Sequence, residues 1–301
     1  EFTQFARTYV PVARLWFGPV LVVVLTDPDA IGKVVKHDKV GGRGYLFTKL
    51  MSPAFRNGLL VIDGDKWRAH RKIVSSALNT NVLETFVENF AKNSDILANK
   101  LKALADGNTA HDIVPYFTRC SLDIICQTSL HIDINAQEGK DNDTLNAITT
   151  IIETVAVFKE AMRLFPPVPI HSREAIKEID LGHGHIVPAG AITWMPAYVI
   201  HKDPKHFPEP EKFDPDRFSP QNSVGRHPYA YTPFGIGRRM CVGHEYATME
   251  AKTILSTVLR RYCVTEIEGG IRGLEKTLKF TFVLSNANGI RVKLLPRSHP
   301  S

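Results

Sequence analysis

The amino-acid sequence predicts a mostly α-helical fold with small β-sheets, an α+β arrangement. Apolar residues recur at three- and four-residue intervals over several long stretches, as in helices that bury one face. Short apolar runs bounded by glycine and proline indicate short strands. The chain has 301 residues, 44% hydrophobic and 23% charged, which fits a folded chain and excludes a disordered one. We expect a single domain over 1–301, in two parts that cover 1–158 and 159–301.

Two strands and a helix come first. The apolar stretch 15–25 is interrupted by Gly18-Pro19, which predicts two strands that turn there, with Val20–Leu25 buried. This stretch is too short to cross a bilayer. Asp27-Pro28 then predicts the start of a helix, because aspartate caps a first turn and proline fits the first helical position.

Helical spacing accounts for most of the remaining chain, apart from a polar loop. The predicted ranges are two helices within 67–104 that separate near 79–81, helices over 113–129, 144–165 and 242–262, and the loop over 131–143. A proline run at 166–169 ends the helix over 144–165.

Short strands and a terminal hairpin complete the expected secondary structure. Strands are predicted over 174–179 and Ile192–Met195, between proline- and glycine-rich turns. Near the end of the chain, 278–284 is expected to pair with 290–295 in a hairpin turned at Asn288-Gly289, a dipeptide typical of two-residue turns.

Charge and cysteine content narrow the classes of partner. The formal charge is +6, but no tight run of Lys and Arg is present, so we expect no nucleic-acid partner. An acidic protein or an anionic membrane surface fits better. The four cysteines form no Cys-x-x-Cys pair, and a chain of this size needs no disulfides, which indicates a reducing compartment.

One of these cysteines lies in a segment suited to holding iron. Residues 234–243 read Phe-Gly-Ile-Gly-Arg-Arg-Met-Cys-Val-Gly. A thiolate ligand must stay deprotonated, which nearby cations and a helix N-terminus favour. Glycine lets a flat macrocycle come close to the backbone. A buried structural cysteine would be the alternative for a lone cysteine, but five positions of the pattern F-x-x-G-x-R-x-C-x-G agree here.

This segment resembles the haem-binding loop of the cytochrome P450 superfamily. The resemblance implies a cytochrome P450 fold that binds haem b (iron protoporphyrin IX), with Cys241 as the axial ligand of the iron. It places Phe234, Gly237, Arg239 and Gly243 around the cofactor. Members are haem-thiolate monooxygenases, in which the cysteine sulfur pushes electron density toward O–O cleavage. The part over 159–301 would then be the proximal, haem-binding part.

A second motif supports the resemblance. Glu160 and Arg163 lie three residues apart on a predicted helix, as in the family's E-x-x-R motif. Alone, such a pair is usually a solvated surface pair that stabilises little. In the family the pair is buried and joined by an arginine from a later segment, which Arg217 would supply here. One carboxylate between two guanidiniums suits a buried network.

Three arginines match the family's anchors for the haem propionates. Trp67 and Arg71 fit its W-x-x-x-R motif, Arg173 follows the proline run, and Arg239 lies within the cysteine loop. Each alone would be an ordinary surface cation, but together they put positive charge where two carboxylates need it.

Segments over 67–72, 120–126 and 201–204 resemble the microsomal fourth family, especially its insect members. That resemblance implies a fatty acid, hormone or xenobiotic as the small lipophilic substrate, and the cytosolic face of the endoplasmic reticulum membrane as the location. It implies NADPH–cytochrome P450 reductase as electron donor, with cytochrome b5 as a second donor. We expect the chain to lack the family's N-terminal membrane anchor.

The chain also departs from the family. A long distal helix in the family carries an Ala/Gly-Gly-x-Asp/Glu-Thr signature, whose acid and alcohol deliver protons during oxygen activation. No segment matches, so no catalytic residue is identified, and the helical block over the haem is predicted to be missing at a junction near 153–158. We therefore expect haem binding with weak or absent turnover. A non-catalytic haem-binding protein and an inactive gene fragment are the alternatives.

Overall fold

A computed structural model of the chain describes residues 2–37, 41–133, 135–137, 151–280 and 283–297. Within these ranges the chain is mostly helical with small sheets, which confirms the predicted fold class. The helices are α1 (Phe2–Thr8), α2 (Pro28–Lys36), α3 (Tyr45–Phe55), α4 (Gly64–Ala77), α5 (Thr80–Thr85), α6 (Val87–Leu101), α7 (Val114–Ile125), α8 (Ile151–Leu164), α9 (Ala197–Ile200), α10 (Pro220–Ser223), α11 (His244–Arg261) and α12 (Gly270–Lys276).

The strands of the described residues form four small sheets. They are β1 (Val12–Phe17), β2 (Val20–Leu25), β3 (His111–Asp112), β4 (His171–Glu174), β5 (Ile179–Gly182), β6 (His185–Val187), β7 (Ile192–Met195), β8 (Tyr262–Ile267), β9 (Leu278–Phe280), β10 (Leu284–Asn286) and β11 (Arg291–Pro296). Their orders are β1-β2-β7-β4, β5-β6, β3-β11-β8 and β10-β9.

The chain forms two compact units, each made of two stretches. The first unit comprises Glu1–Ala77 and Lys159–Val242, and the second comprises Leu78–Phe158 and Gly243–Ser301. Nearly all of the predicted haem-binding and network residues belong to the first unit, with Gly243 the exception. A single domain over 1–301 stays a prediction.

The first unit is built on a four-stranded sheet in which β2 and β7 are the two inner strands. β1 and β2 pair antiparallel and turn at residues 18–19, as predicted, while β2 pairs parallel with β7. Alternate residues of β2 enter two different apolar clusters, Val23 and Leu25 in one, Val22 and Val24 in the other. Because both faces are covered, the strand is continuously apolar instead of alternating.

Helix α2 follows this strand directly, and its predicted start is confirmed. The Asp27 carboxylate accepts a hydrogen bond of 2.9 Å from the Ala30 amide, which satisfies one of the free donors of the first turn. Ile31 and Val34 are buried in the same cluster as one face of β2. This packing places the end of α2 beside the loop that contains Cys241, where the Val35 side chain lies next to Gly237.

The second unit packs α6, α7 and α11 around a core of its own. Phe90 on α6 meets the Tyr246 ring of α11 edge-on, with ring centroids 5.2 Å apart. The Tyr262 hydroxyl donates to the Ala98 carbonyl at 2.7 Å. Leu97 and Ile124 are fully buried in the same cluster. The large apolar side chains explain the helical spacing seen in the sequence.

Two predicted strand arrangements are wrong. The strand expected over 174–179 divides, because Ala175 makes an isolated bridge to Ala191 and Ile176 then turns to solvent. The predicted terminal hairpin does not form: β9 pairs with β10, and β11 pairs with β8 and β3. Pairing with β8 buries Val292 and Leu294 in the core of the second unit, which a local hairpin would not achieve.

The helix predictions differ from the structure mainly at their ends. The break expected near 79–81 is present, with Asn79 capping α5, but a second break at Phe86 separates α5 from α6. The helix predicted over 113–129 is α7, continued to residue 130 by a π-helical turn. The helix predicted over 242–262 is α11, which begins at His244 and ends at Arg261. Residues 144–150 of the predicted helix 144–165 lie outside the described residues.

Across the described ranges, no helix is both long enough and apolar enough to span a membrane.

Candidate haem-binding site

The cysteine loop, residues 232–241, is held in shape by its own backbone. The Cys241 amide donates to the Phe234 carbonyl at 2.9 Å, and the Met240 amide donates to the Gly237 carbonyl at 2.9 Å. The Gly235 amide donates to the Thr232 carbonyl at 3.0 Å. These bonds fold the loop tightly and leave the Cys241 thiol exposed, so the sulfur is accessible to a ligand.

The two glycines predicted to lie near the cofactor, Gly237 and Gly243, occupy different structural positions. Gly237 has φ +66°, and a Cβ there would collide with the Val35 side chain of α2. Any other residue would be strained as well as crowded. Gly243 has φ −96° and is the N-cap of α11 in the second unit.

Arg71 and Arg173 both donate hydrogen bonds to carbonyls of the cysteine loop. Arg71 Nη1 lies 2.7 Å from the Met240 oxygen, one residue before the thiol. Arg173 Nη2 lies 2.8 Å from the Ile236 oxygen. Arg173 is buried, on strand β4. A guanidinium has five donors, so each arginine can hold the loop and still bind an anion.

Arg239 lies against Trp67, the aromatic residue of the W-x-x-x-R motif. Its guanidinium carbon is 3.9 Å from the centre of the Trp67 ring, within the range of a cation–π contact. The same group donates to the Ile62 carbonyl at 3.0 Å and forms an ion pair with Asp63. The Arg71 guanidinium carbon lies 6.0 Å from the same ring. Trp67 therefore brings two of the predicted anchors together.

Arg43 joins this group and was not identified from the sequence. Burial, and then repulsion from Arg239, lower its pKa to about 10, while Cys241 acts in the opposite direction. Burial also lowers the pKa of Arg173 to about 9, with further lowering by Arg43 and Arg239. The arginine flanked by glycines at 41–44 was the available signal in the sequence.

The group of arginines fits a flat ligand that carries carboxylates. Arg43, Arg71, Arg173 and Arg239 place four positive charges near Cys241, and Asp63 is the carboxylate that pairs with one of them. Partly buried like charges repel each other strongly unless anions compensate them. Haem b has two propionates, and its face would lie against the exposed thiol.

A buried ionic network lies in the same unit. The Glu160 carboxylate forms a bidentate pair with Arg163, with distances of 2.7 Å and 2.8 Å, and both side chains are fully buried. The Arg217 Nε lies 3.5 Å from the same carboxylate, close enough for an ion pair but without hydrogen-bond geometry. The Asp214 amide donates a further bond of 2.9 Å to Glu160. The structure thus places Glu160 between Arg163 and Arg217.

Two histidines connect this network to the cysteine loop. Arg163 donates to the His201 carbonyl at 2.9 Å, and the His201 ring accepts from the Thr232 amide at 2.8 Å. The His171 ring bonds the Thr232 carbonyl at 3.0 Å. Burial lowers the pKa of His171 to about 4 and that of His201 to about 3, so both rings are neutral at pH 7. Neither role was identified from the sequence.

An exposed thiol in a tight loop, held by one buried and one partly buried arginine that could take carboxylates, is the arrangement of a haem-thiolate protein. The family model for cytochrome P450 matches residues 1–156 and 153–293. The chain belongs to the cytochrome P450 family, whose members are haem-thiolate monooxygenases that use haem b. The match comes as two segments that meet at 153–156.

Curated relatives belong to the fourth family of these enzymes. The chain is 24% identical to cytochrome P450 4c3 of Drosophila melanogaster over 448 aligned positions, covering 96% of the chain and 83% of the relative. It is 24% identical to cytochrome P450 4V2 of Homo sapiens, with 99% and 84% covered. Insect and mammalian relatives therefore match equally well. The 448 aligned positions exceed the 301 residues of the chain by 147, so at least that many positions of the relative face gaps in the chain.

We predict that Glu160→Gln destabilises the chain by about 3–5 kcal/mol, because two buried guanidiniums lose their counter-charge. Urea unfolding followed by circular dichroism measures this loss. The matched control is Glu209→Gln, whose side chain is 76% exposed and should change the free energy of unfolding by less than about 0.5 kcal/mol. Equal effects of the two substitutions would contradict the assigned role of Glu160.

We also predict that acid destabilises the chain through His201. The pKa of His201 in the folded chain, about 3, lies below the ordinary value of 6.5, because burial favours the neutral ring. Its contribution to the free energy of unfolding is therefore complete above pH 6.5 and declines as the pH falls toward 3. Between pH 7 and pH 5 the free energy of unfolding should fall by about 2 kcal/mol more in the unmodified chain than in His201→Gln. His70→Gln, at an exposed position, is the control and should behave like the unmodified chain. An unchanged pH dependence in His201→Gln would refute this prediction.

Proposed function

We propose that the first unit binds haem b with the Cys241 thiolate as axial ligand of the iron. The observation that carries this proposal is the exposed Cys241 thiol in a loop whose carbonyls, at Ile236 and Met240, accept hydrogen bonds from two arginines. Haem in this position supplies the chemistry of dioxygen activation. The protein supplies the ligand, the charge balance and the orientation.

The neighbouring side chains have separate roles in this proposal. Arg71, Arg173 and Arg239 hold the propionates while they position the loop, and Trp67 holds Arg239 by stacking. Gly237 leaves room for α2 against the loop. Phe234 belongs to the same loop as Cys241 and is the aromatic residue of the F-x-x-G-x-R-x-C-x-G pattern, in which Gly243 is the last glycine. Glu160, Arg163 and Arg217 act through His201 and Thr232 as the structural support of the loop.

The proposed reaction is the insertion of one atom of dioxygen into a fatty acid, hormone or xenobiotic. Electrons come from NADPH through NADPH–cytochrome P450 reductase, with cytochrome b5 as a second donor. The formal charge of +6 favours an acidic protein partner of this kind and the anionic surface of the endoplasmic reticulum membrane. We propose no nucleic-acid partner.

We further propose that this chain has weak or no turnover, because it lacks the block of residues that covers the haem in its relatives. Two comparisons support this: the alignment with relatives contains many positions at which the chain has no residue, and the family match divides into two segments that overlap at 153–156. In the second unit, Phe158 lines a mostly apolar, partly open cavity of about 290 Å³ together with Phe117 and Leu255, and Ser121 and Glu250 are its polar lining residues. Such open apolar surface is typical of a site from which a packing partner is missing.

The test is the spectrum of the reduced carbon-monoxide complex after expression with haem. We expect a thiolate-type Soret band for the unmodified chain and its loss in Cys241→Ala, because alanine offers no ligand. Cys263→Ala is the control, since this partly exposed cysteine lies on β8 of the second unit and should leave the band unchanged. A thiolate band that survives Cys241→Ala would disprove the ligand assignment.

Turnover then separates the monooxygenase from a haem-binding protein without catalysis. The chain is mixed with reductase, NADPH and a fatty acid, and hydroxylated product is measured by mass spectrometry. We expect at most a trace of product. Efficient, regiospecific hydroxylation would overturn the proposal that the shortened chain is inactive, and failure to take up haem would favour an inactive gene fragment.

A further inference from the structure

Helices α7 and α11 of the second unit border the cavity that Phe158 also lines. Phe117 and Ser121 lie one turn apart on α7 and face it together. The residues that α11 contributes lie three and four positions apart, on one side of the helix: Ala247, Glu250, Ala251, Ile254 and Leu255. All lining residues belong to the second unit, so the cavity shares no residue with the cysteine loop.

Two of the α11 residues that face the cavity are small, which leaves room for a ligand. Ala247 and Ala251, one turn apart, each carry only a methyl group. The volume of the cavity is about 290 Å³. Ligand pockets usually have volumes of about 300–1,000 Å³, so this cavity suits a molecule smaller than most ligands.

Glu250 is the charged residue of the lining, and its partner is a hydroxyl. The Ser121 hydroxyl donates to the Glu250 Oε1 at 2.5 Å. Among the residues that the structure describes, no Lys, Arg or His forms an ion pair with this carboxylate. Burial raises the pKa of Glu250, and the bond from Ser121 acts in the opposite direction. Burial, followed by the charge of Glu250, raises the pKa of the nearby Cys120 thiol.

The chemistry of the lining selects a class of ligand. Apolar walls favour a hydrocarbon part, because its burial removes apolar surface from water. A carboxylate with restricted solvation and no counter-charge is stabilised by a cation. Phe117 and Phe158 add aromatic rings, whose faces attract ammonium groups. A metal ion fits poorly, since the described part of the chain contains no group of three or more side chains placed to ligate one.

We propose that this cavity binds a small lipophilic ammonium ion, with its apolar part against Phe117, Phe158 and Leu255 and its positive group beside the Glu250 carboxylate. The site goes beyond the proposed haem function and does not depend on it. A neutral ligand would leave the charge of Glu250 uncompensated, and an anion would be repelled by it. The positive group therefore decides the affinity among ligands of similar size.

The test measures the binding of phenethyltrimethylammonium and of 3-phenyl-1-propanol, a neutral compound with a phenyl ring and a similar chain, by isothermal titration calorimetry. A quaternary nitrogen has no lone pair and cannot ligate iron, so the full chain expressed with haem is used. We expect the unmodified chain to bind the ammonium ion at least about 5-fold more tightly than the alcohol.

Glu250→Gln should weaken binding of the ammonium ion about 10-fold, because it removes the negative charge, and should change binding of the alcohol less than about 2-fold. Glu84→Gln is the matched control, at an exposed position on α5 of the same unit, and should change neither dissociation constant.

Leu255→Trp tests whether the ligand occupies this cavity. The larger side chain fills the space and leaves Glu250 in place, so we expect both compounds to lose their binding. This variant also carries the test if Glu250→Gln does not fold, which circular dichroism shows.

Four results would overturn this inference. They are no saturable binding of the ammonium ion, equal affinity for the two compounds, unchanged ammonium affinity in Glu250→Gln, and ammonium binding that survives in Leu255→Trp. A dimer that Leu255→Trp dissociates and the ammonium ion does not would also overturn it, since a second copy of the chain would then occupy the cavity. The thiolate spectrum is a separate readout, and its absence would contradict the proposed function alone.

Discussion

The charge of a single buried carboxylate supports much of the first unit. Glu160 compensates Arg163 and Arg217, and Arg163 in turn holds the His201 carbonyl. The His201 ring accepts from Thr232, where the cysteine loop begins. Because unpaired buried charges are expensive, this arrangement tolerates little rearrangement. The position of the Cys241 thiol therefore depends on a charge balance located well away from it in the sequence.

The second feature of the site is an excess of positive charge that is only partly compensated. Burial and mutual repulsion lower the pKa of Arg43 to about 10 and that of Arg173 to about 9. A site with this property favours a ligand with more than one negative charge, since each anion relieves several repulsions at once. Arg173 also donates to the Ile236 carbonyl, and Arg71 donates to the Met240 carbonyl, so the charge of the site and the geometry of the loop share side chains.

Membership of the cytochrome P450 family and the proposed activity of this chain rest on different parts of it. The family match covers 1–156 and 153–293, which include the cysteine loop, the arginines and the Glu160 network. The alignment with relatives is longer than the chain by 147 positions. The proposed haem site uses residues that lie within these two matched segments. Oxygenation also needs a covered pocket and a proton source, which the family supplies from the block over the haem.

The sequence by itself determined the features that depend on local spacing. The Asp27 cap, the turn at residues 18–19 and the pattern around Cys241 all involve residues close together in the chain, where geometry follows directly from residue type. Glu160 and Arg163 were also recognisable, because three-residue spacing places them on one helix face. The coincidence of several such motifs identified the family.

Only the tertiary structure decided which distant residues meet. β11 pairs with β8 instead of forming the expected hairpin, because burial of Val292 and Leu294 outweighs a favourable local turn. Arg43 approaches Arg173 through backbone bonds between segments some 130 residues apart, and His201 reaches Thr232 across thirty. Such contacts are selected by the free energy of packing and hydrogen bonding over the whole unit, which no short sequence pattern contains.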